Sequence, residues 1–392
     1  MKKILILSSI VIILLTGCGK KNYVENPEVI NISNSEFEVF SDVNLYDILY
    51  NPNNIEIISD NYVIDTNSIG EKTYEVTYKY ENKKYTYKYT INVIDTEEPR
   101  VFSGTNKTVD KGYEGDLCNI ITYGDNYDGI INCKIEGEYD TNRVGTYNLK
   151  YYLSDSSKNT KEVNVTLNVK EKTSGNSSKP STKKTYFTDV LSKYNSDNSE
   201  FGIDVSKWQG EIDFNKVKNA GATFVMMRIG VQKSANGELS VDNYYLQNIK
   251  NAKEAGLKVG VYLYSIATSR DEAIEHANWV IKTLDGEKLE LPIVFDWENW
   301  SKWNSYKISF HEINEIANAY MNTVKEAGYE GMLYSSKFYL ENIWENKLDY
   351  PVWLAHYTEK TSYQGKYIMW QLCNNGRIDG INGDVDIDIL YK

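Results

Sequence analysis

The sequence predicts a multidomain protein in which two all-β sandwiches precede an α/β barrel of five β/α units followed by three strands. Three observations support this prediction: an internal repeat in the amino-terminal half, a polar segment after it, and alternating strand and helix patterns from residue 201 onward. The 392 residues are enough for two or three domains. An apolar fraction of 41% and a charged fraction of 25% exclude whole-chain disorder, collagen and coiled coil.

The internal repeat organises residues 26–170. The pattern Asp65-Thr66-Asn67-Ser68-Ile69-Gly70 recurs as Asp140-Thr141-Asn142-Arg143-Val144-Gly145, and each copy precedes two runs in which Val, Ile, Thr and Tyr alternate with polar residues. Alternation with a period of two predicts half-buried antiparallel strands. We therefore expect β-sandwiches over residues 26–95 and 96–170, and both resemble bacterial immunoglobulin-like surface domains.

Two cysteines of the second repeat, Cys118 and Cys133, lie fifteen residues apart in a domain expected outside the cell, so they are expected either to form a disulfide or to remain two buried free thiols. Cys373 has no evident partner and is predicted to be a core residue. The acidic run over residues 125–129 lacks the spaced ligands of a calcium loop, so we predict a solvated turn. Residues 171–200 are rich in Ser, Lys, Thr and Asn, which predicts a flexible linker.

Strand and helix patterns alternate over residues 201–392, which is typical of a parallel sheet. The strand candidates are eight apolar runs, at residues 201–205, 223–229, 258–264, 292–297, 331–335, 351–355, 367–372 and 385–390. Helical patterns fill the first gaps, and Ser269 and Ser309 each begin a capping-box pattern with a Glu three residues later. The last three strands leave no room for full helices between them.

Carboxylates cluster at the carboxyl ends of these strands, where barrel enzymes have their active sites. Asp204 ends the first strand, Asp296 and Glu298 end the fourth, and Asp386 lies on the eighth. Asp296 and Glu298 are two apart on a strand, so their side chains point to one face, with Cα atoms roughly 6–7 Å apart. Such a pair suits glycosidic cleavage, which needs one protonated donor and one ionised stabiliser.

The motifs at these strand ends resemble those of family 25 glycoside hydrolases. They are Gly202-Ile203-Asp204-Val205-Ser206-Lys207-Trp208-Gln209-Gly210, Asp296-Trp297-Glu298, Pro351-Val352-Trp353-Leu354-Ala355, Met369-Trp370-Gln371 and Gly383-Asp384-Val385-Asp386. The resemblance covers residues 201–392 and implies a TIM-like (β/α)5β3 barrel. It also implies a lysozyme (N-acetylmuramidase) that hydrolyses the β-1,4 bond between N-acetylmuramic acid and N-acetylglucosamine in peptidoglycan.

The same resemblance implies roles for individual residues. By position, Glu298 is the general acid and base, Asp296 assists the acetamido group of the substrate, and Asp204 and Asp386 are flanking acids. The family often has Asn where this sequence has Asp388, and the extra negative charge is expected either to raise the pKa of a neighbouring acid or to point into the core. Aromatic rings stack on sugars or pack in cores, and the candidate sugar-binding aromatic residues are Trp208, Tyr264, Trp297 and Trp370. Arg228 is expected either to pair with the acids or to bind a substrate carboxylate.

The amino terminus has the pattern of a lipoprotein signal peptide. Two lysines precede an apolar run over residues 4–15, which is too short to span a bilayer comfortably. The run ends in Leu15-Thr16-Gly17-Cys18, which resembles a bacterial lipobox and implies cleavage after residues 1–17 and acylation of Cys18. More than one acyl chain gives stable anchoring. We expect a lipidated tether over residues 18–25 and a location on the outer face of the bacterial membrane; a plain secretory signal is the alternative.

The sequence is compatible with several functions. A net charge of −12 argues against nucleic-acid binding, which uses basic patches. The three histidines show no metal-ligand spacing, so no metal or cofactor is expected. We expect a monomer that acts on peptidoglycan by a retaining, substrate-assisted route, or else by an inverting one. A non-catalytic glycan-binding surface lipoprotein and a chitinase-like hydrolase are the alternatives.

Overall fold

A computed structural model describes residues 30–59, 62–172, 183–235, 237–345 and 350–392. The chain separates into two compact units, Met1–Asp95 and Thr96–Lys392. The expected signal peptide, lipidated tether and Cys18 lie outside the described residues. A search of those residues for a helix with the length and hydrophobicity needed to cross a membrane finds none.

The first unit contains a four-stranded sheet in the order β2-β6-β5-β4, beside which β1 pairs with β3. Its elements are β1 (Asn31–Ile32), β2 (Glu36–Glu38), α1 (Leu45–Ile48), β3 (Leu49–Tyr50), β4 (Glu56–Ile57), β5 (Gly70–Tyr80) and β6 (Lys83–Ile94). The long hairpin of β5 and β6 buries alternate residues, as its period of two predicts. Glu81 and Asn82 join its strands with φ angles of 47° and 61°, which suit the twist of a two-residue hairpin turn.

Residues 96–170, called here the second β-module, repeat this arrangement. Its strands are β7 (Arg100–Val101), β8 (Asn106–Asp110), β9 (Tyr123–Gly124), β10 (Asn132–Glu136), β11 (Gly145–Ser154) and β12 (Thr160–Lys170). The sheet order β8-β12-β11-β10 matches β2-β6-β5-β4 strand for strand, and β7 pairs with β9 as β1 does with β3. In both copies the repeated motif begins with an Asp that accepts a backbone N–H two residues on, at 2.9 Å for Asp65 and 2.8 Å for Asp140.

Two features of the second β-module concern the sequence predictions. Cys118 and Cys133 form a disulfide in the structure. Asp125 makes the predicted turn, because its Oδ1 accepts the N–H groups of Tyr127 at 2.9 Å and Asp128 at 3.0 Å. The turn is not solvated as expected, however: Asp125 is only 1% exposed.

The second unit also contains a closed barrel of eight strands. Its strands after the β-module are β13 (Thr185–Tyr186), β14 (Ser199–Val205), β15 (Phe224–Gln232), β16 (Leu239–Val241), β17 (Lys258–Tyr264), β18 (Ile293–Asp296), β19 (Gly331–Ser336), β20 (Val352–Ala355), β21 (Met369–Arg377) and β22 (Val385–Tyr391). The barrel runs β14-β15-β17-β18-β19-β20-β21-β22, and β22 closes it by pairing antiparallel with both β21 and β14. The predicted β/α barrel is therefore observed, with all eight strand candidates in place.

Helices cover the outside of the barrel. They are α2 (Phe187–Tyr194), α3 (Phe214–Asn219), α4 (Tyr245–Glu254), α5 (Arg270–Leu284), α6 (Trp303–Tyr306), α7 (Phe310–Glu326) and α8 (Lys337–Asn342). Ser269 and Ser309 cap α5 and α7, accepting backbone N–H groups at 3.2 and 3.1 Å, as their patterns predict. No helix separates β20, β21 and β22, all of which fall in the described stretch 350–392.

Residues 183–200, which fall in the predicted flexible linker, are structured instead. Within residues 171–200, β13 pairs parallel with β21, and α2 buries Phe187 and Val190 against the barrel, leaving them 1% and 2% exposed. The polar composition hid this because only two or three apolar residues of α2 face inward. That amphipathic stripe is what a short surface helix needs.

Candidate active site

The alternation of side chains along each strand decides which residues enter the barrel. On β18, Val294 belongs to a cluster made only of strand residues, whereas Phe295 belongs to the cluster shared with the helices. Asp296 has the same parity as Val294 and therefore points into the barrel. The same rule turns Asp204 of β14 and Asp386 and Asp388 of β22 inward, since their neighbours Ile203 and Ile387 pack against the helices.

Asp296 and Glu298 form a carboxyl pair at the mouth of the barrel. Asp296 is 3% exposed, whereas Glu298, just beyond the end of β18, is open to solvent. Each carboxyl group alters the pKa of the other, because the two groups are neighbours at the end of β18. Burial and the charge of Glu298 raise the pKa of Asp296 well above its usual value, and the protein crowded around Glu298 raises its pKa too. Both shifts favour retention of a proton by the pair.

A second carboxyl pair, Asp204 and Asp388, lies deeper in the barrel. Asp388 is 0% exposed, and burial raises the pKa of both groups well above their usual range. The charge of Asp388 raises the pKa of Asp204 further. Gln371 Nε2 donates to Asp204 Oδ2 at 2.7 Å, and Trp353 Nε1 donates to Asp388 Oδ1 at 2.8 Å. These donors fix the orientation of both carboxyl groups.

Asp386 is influenced by the charge of one member of each pair, Asp204 and Glu298. Burial, followed by the charges of Asp204 and Glu298, raises its pKa to about 9. It is therefore a neutral acid at pH 7 in the unliganded protein. Five acids thus converge at one end of the barrel, and like charges in a desolvated space raise their pKa values.

Two tyrosines complete the deeper network, and sequence reasoning missed them. The hydroxyl groups of Tyr334 and Tyr357 both donate to Gln371 Oε1 at 2.9 Å. This leaves the Gln371 amide with only its N–H₂ group to offer Asp204, so the orientation of the amide is fixed. Gln371 lies in the motif Met369-Trp370-Gln371. In a chain with 33 tyrosines, however, no sequence pattern distinguishes a single functional tyrosine.

Arg228 does not form an ion pair with any of these five acids. Its Nε and Nη2 donate to Asp242 Oδ2 at 2.8 and 2.6 Å, and Asp242 is 5% exposed. Asp242 was not foreseen, because it lies at the end of a short edge strand, β16, that the sequence pattern did not reveal. Arg228 still acts on the site through space, since its positive charge lowers the pKa of Asp296 against the larger effect of burial.

Two of the four predicted sugar-binding aromatic residues are core residues instead. Trp297 and Trp370 are 0% and 3% exposed, because each has the outward parity of its strand and packs beneath the helices. Their indole N–H groups donate to the backbone carbonyls of Ala267 at 3.0 Å and His356 at 2.9 Å. With both ring faces covered, neither tryptophan offers a surface for a sugar.

The other two aromatic residues are accessible. Trp208 is 76% exposed, on a 3₁₀ turn just after β14, and the Nζ atom of Lys207 lies 4.8 Å from its ring centroid. Tyr264 is half-buried at the end of β17, where burial and the charges of Asp296 and Glu298 raise its pKa to about 12. Both therefore remain candidates for contact with a sugar ring.

Comparison with known proteins gives the family. The sequence model described as Glycosyl hydrolases family 25 matches residues 203–381. A protein of Escherichia coli strain K12 named "Uncharacterized protein YegX" is 30% identical over 193 residues, which is 48% of this chain and 68% of that protein. The "Autolytic lysozyme" of Clostridium acetobutylicum is 29% identical over 189 residues, 48% of this chain and 54% of that protein.

Among solved structures, a family 25 glycosyl hydrolase from Bacillus anthracis covers 51% of this chain and 93% of its own, with 21% identity and a TM-score of 0.44. The sequence comparisons, and not this likeness, establish the relationship. Through residues 203–381, the chain belongs to glycosyl hydrolase family 25.

Proposed function

We propose that this chain is a cell-wall lysozyme (N-acetylmuramidase) that hydrolyses the β-1,4 bond between N-acetylmuramic acid and N-acetylglucosamine in peptidoglycan. The observation that carries the proposal is the carboxyl pair of Asp296 and Glu298 at the solvent-open mouth of the barrel, where the pKa of each group is raised. Hydrolysis of a glycosidic bond needs a carboxylic acid that is still protonated near neutral pH. The family membership and a relative named as a lysozyme support the same reaction.

Glu298 is the general acid in this proposal, because it is the exposed member of the pair and therefore the one a glycosidic oxygen can reach. It donates its proton to the leaving O4 as the C1–O4 bond breaks. Its raised pKa keeps that proton available, and the ionised Glu298 left behind then serves as the base.

Asp296 is the assisting carboxylate. The carbonyl oxygen of the substrate's 2-acetamido group attacks C1 and forms an oxazolinium ion, while Asp296 accepts the acetamido N–H. A donor arriving at Asp296 favours its ionised form and moves the shared proton toward Glu298. Water then adds to C1 and gives its proton to Glu298, which opens the ring with net retention.

The surrounding acids and aromatic residues would bind the sugars. Asp204 and Asp386 flank the reacting pair, and Asp386, neutral at pH 7, can donate a hydrogen bond to a sugar hydroxyl. Trp208 and Tyr264 would stack against pyranose rings at the mouth. The alternative, a barrel that binds glycan without cleaving it, gives no reason to place two carboxyl groups with raised pKa values side by side at the mouth.

We further propose that the chain is a lipoprotein, anchored through Cys18 on the outer face of the membrane, whose two β-modules are immunoglobulin-like. The shared strand order of the modules supports the second point. Anchoring would raise the local concentration of a net-acidic enzyme at an anionic wall that does not attract it electrostatically. Radiolabelled palmitate incorporation that disappears in Cys18→Ala would test the anchor.

Purified peptidoglycan digested with the full chain tests the reaction. Mass spectrometry is expected to find fragments ending in reducing N-acetylmuramic acid, and no such fragments with Glu298→Gln. Proton NMR of fresh product distinguishes the two routes: β-anomer first for the substrate-assisted route, α-anomer first for an inverting one. Fragments ending in reducing N-acetylglucosamine, or cleavage of chitin in preference to peptidoglycan, would contradict the muramidase assignment.

A further inference from the structure

The barrel and the second β-module share an interface at the segment that follows Glu298. That segment, residues 299–311, comprises a 3₁₀ turn at Trp300–Lys302, helix α6 and the first residues of α7. We infer that the second β-module is a brace that holds segment 299–311, and through it Glu298, in the position needed for catalysis. This inference rests on the proposed function and adds positioning residues to it.

Phe102 is the wedge of this interface. Although it belongs to the second β-module, it packs in the hydrophobic core of the barrel and is 5% exposed. Its ring meets those of Trp303 and Phe310 edge-on, with centroids 5.5 and 5.7 Å apart. Arg100, two residues earlier, places its guanidinium 4.5 Å from the centroid of Phe310. Without the module, two large apolar rings of the barrel would face water.

Hydrogen bonds fix the register of the two surfaces. The Asn304 side chain accepts the backbone N–H of Tyr123 at 3.2 Å and donates to the carbonyl of Ile121 at 2.9 Å. The first two N–H groups of α7, at Phe310 and His311, donate to backbone carbonyls of the module at 2.7 and 3.2 Å. Helical N–H groups in the first turn have no partner within the helix, so carbonyl groups of the second β-module accept the hydrogen bonds that these N–H groups of α7 donate.

Glycines on the module side allow this close approach. A Cβ atom built on Gly129 would lie 2.2 Å from the carbonyl oxygen of Lys307, and one on Gly124 would lie 2.7 Å from Trp303 Nε1. Neither distance is physically possible, so any larger residue at either position would force the surfaces apart. Gly129→Ala is therefore a way to open the interface from the module without altering the barrel.

A continuous series of contacts between aromatic rings connects the interface to the catalytic pair. Trp303, which touches Phe102, lies 5.9 Å from Trp297 and 5.7 Å from Trp300, between ring centroids. Trp297 and Trp300 in turn lie 4.6 Å apart and flank Glu298 in the chain. The N–H of Trp300 donates to the carbonyl of Glu298 at 2.7 Å. A shift of Trp303 therefore reaches the backbone of Glu298 through rigid, close-packed groups.

The test uses the full chain with Asn304→Ala and Gly129→Ala, one on each side of the interface. Asn318→Ala on α7 is the matched control, because its side chain donates a hydrogen bond to Glu315 of its own helix rather than to the module. Amide hydrogen exchange of residues 299–311 and steady-state kinetics on peptidoglycan are measured for each. We expect faster exchange in both interface variants, a fall in kcat of about tenfold with KM nearly unchanged, and a shifted pH profile, since misplacement of a catalytic group by 1 Å can cost about 100-fold.

The control is expected to keep both the exchange rates and the kinetics of the unmodified chain. Phe102→Leu, which keeps an apolar wedge, is expected to retain more activity than Phe102→Ala. Unchanged exchange in both interface variants, or faster exchange with unchanged kcat, would overturn the inference. Failure of the muramidase assignment appears separately, as absence of muramic-acid products with the unmodified chain, while the exchange data still report on the brace.

Discussion

At the scale of single residues, the site carries a free-energy cost because several carboxyl groups are buried close together. Asp204, Asp296 and Asp388 are each nearly or wholly buried, and each raises the pKa of a neighbour. The pairs lower that cost by sharing protons, which makes them sensitive to pH and to any ligand that offers a hydrogen-bond donor. In the proposed mechanism, proton transfer uses that sensitivity at Asp296 and Glu298, whereas the donors Gln371 and Trp353 hold Asp204 and Asp388 in a fixed geometry.

Glu298→Gln is expected to reduce kcat by about 10² to 10⁴-fold, the usual contribution of a positioned general acid. The amide keeps the size of the side chain but has no proton to transfer. Activity of the unmodified chain requires a protonated Glu298, so it should fall as pH rises through the upper pKa of the pair, which is raised by burial. Release of reducing sugar as a function of pH measures both effects, with Glu275→Gln on the surface of α5 as control; an unchanged kcat in Glu298→Gln would refute the assignment.

Asp388→Asn is expected to stabilise the protein at neutral pH. Because burial raises the pKa of Asp388, the folded state keeps a proton that the unfolded chain loses above about pH 4, so stability is lost as pH rises from there. Asn is neutral throughout, can still accept from Trp353, and can donate to Asp204 in place of the shared proton. Urea unfolding at pH 4 and pH 7 should show a gain only at pH 7. A loss of stability at pH 7 would contradict the shared proton.

At the scale of elements, α2 belongs to the barrel. Phe187→Ala should lower the free energy of unfolding by about 3–5 kcal/mol, the cost of truncating a fully buried phenylalanine. The neighbouring Thr188 is exposed, so Thr188→Ala provides a control with little expected effect. Chemical denaturation followed by tryptophan fluorescence measures both. Equal stability of the two variants would restore the linker interpretation of this segment.

At the scale of the whole molecule, the interface predicts that Thr96–Lys392 unfolds as one cooperative body. The Cys118–Cys133 disulfide closes a loop of about 15 residues, so its removal should cost about 3 kcal/mol. If the module braces the barrel, replacing both cysteines with Ala lowers the melting temperature of the barrel as well. Calorimetry of the full chain measures this, with Asn164→Ala at an exposed position of β12 as control. A separate barrel transition at an unchanged temperature would contradict the coupling.

The sequence by itself determined the parts of this protein that depend on local periodicity. Period-two runs identified both β-modules, alternating apolar and helical patterns identified the eight barrel strands, and the positions of Asp204, Asp296, Glu298 and Asp386 at strand ends identified the carboxylate cluster. Those features follow from side-chain direction along one strand, which the order of residues fixes.

Tertiary structure alone decided the rest, because contacts between distant segments leave no periodic trace in the chain. Trp297 and Trp370 lie on the outward side of their strands, so they pack under the helices and not in the groove. Arg228 forms its ion pair with Asp242. Tyr334 and Tyr357 both donate hydrogen bonds to Gln371. The contact of Phe102 with Trp303 is of the same kind. It joins residues about two hundred apart through shape complementarity, which only the folded surfaces specify.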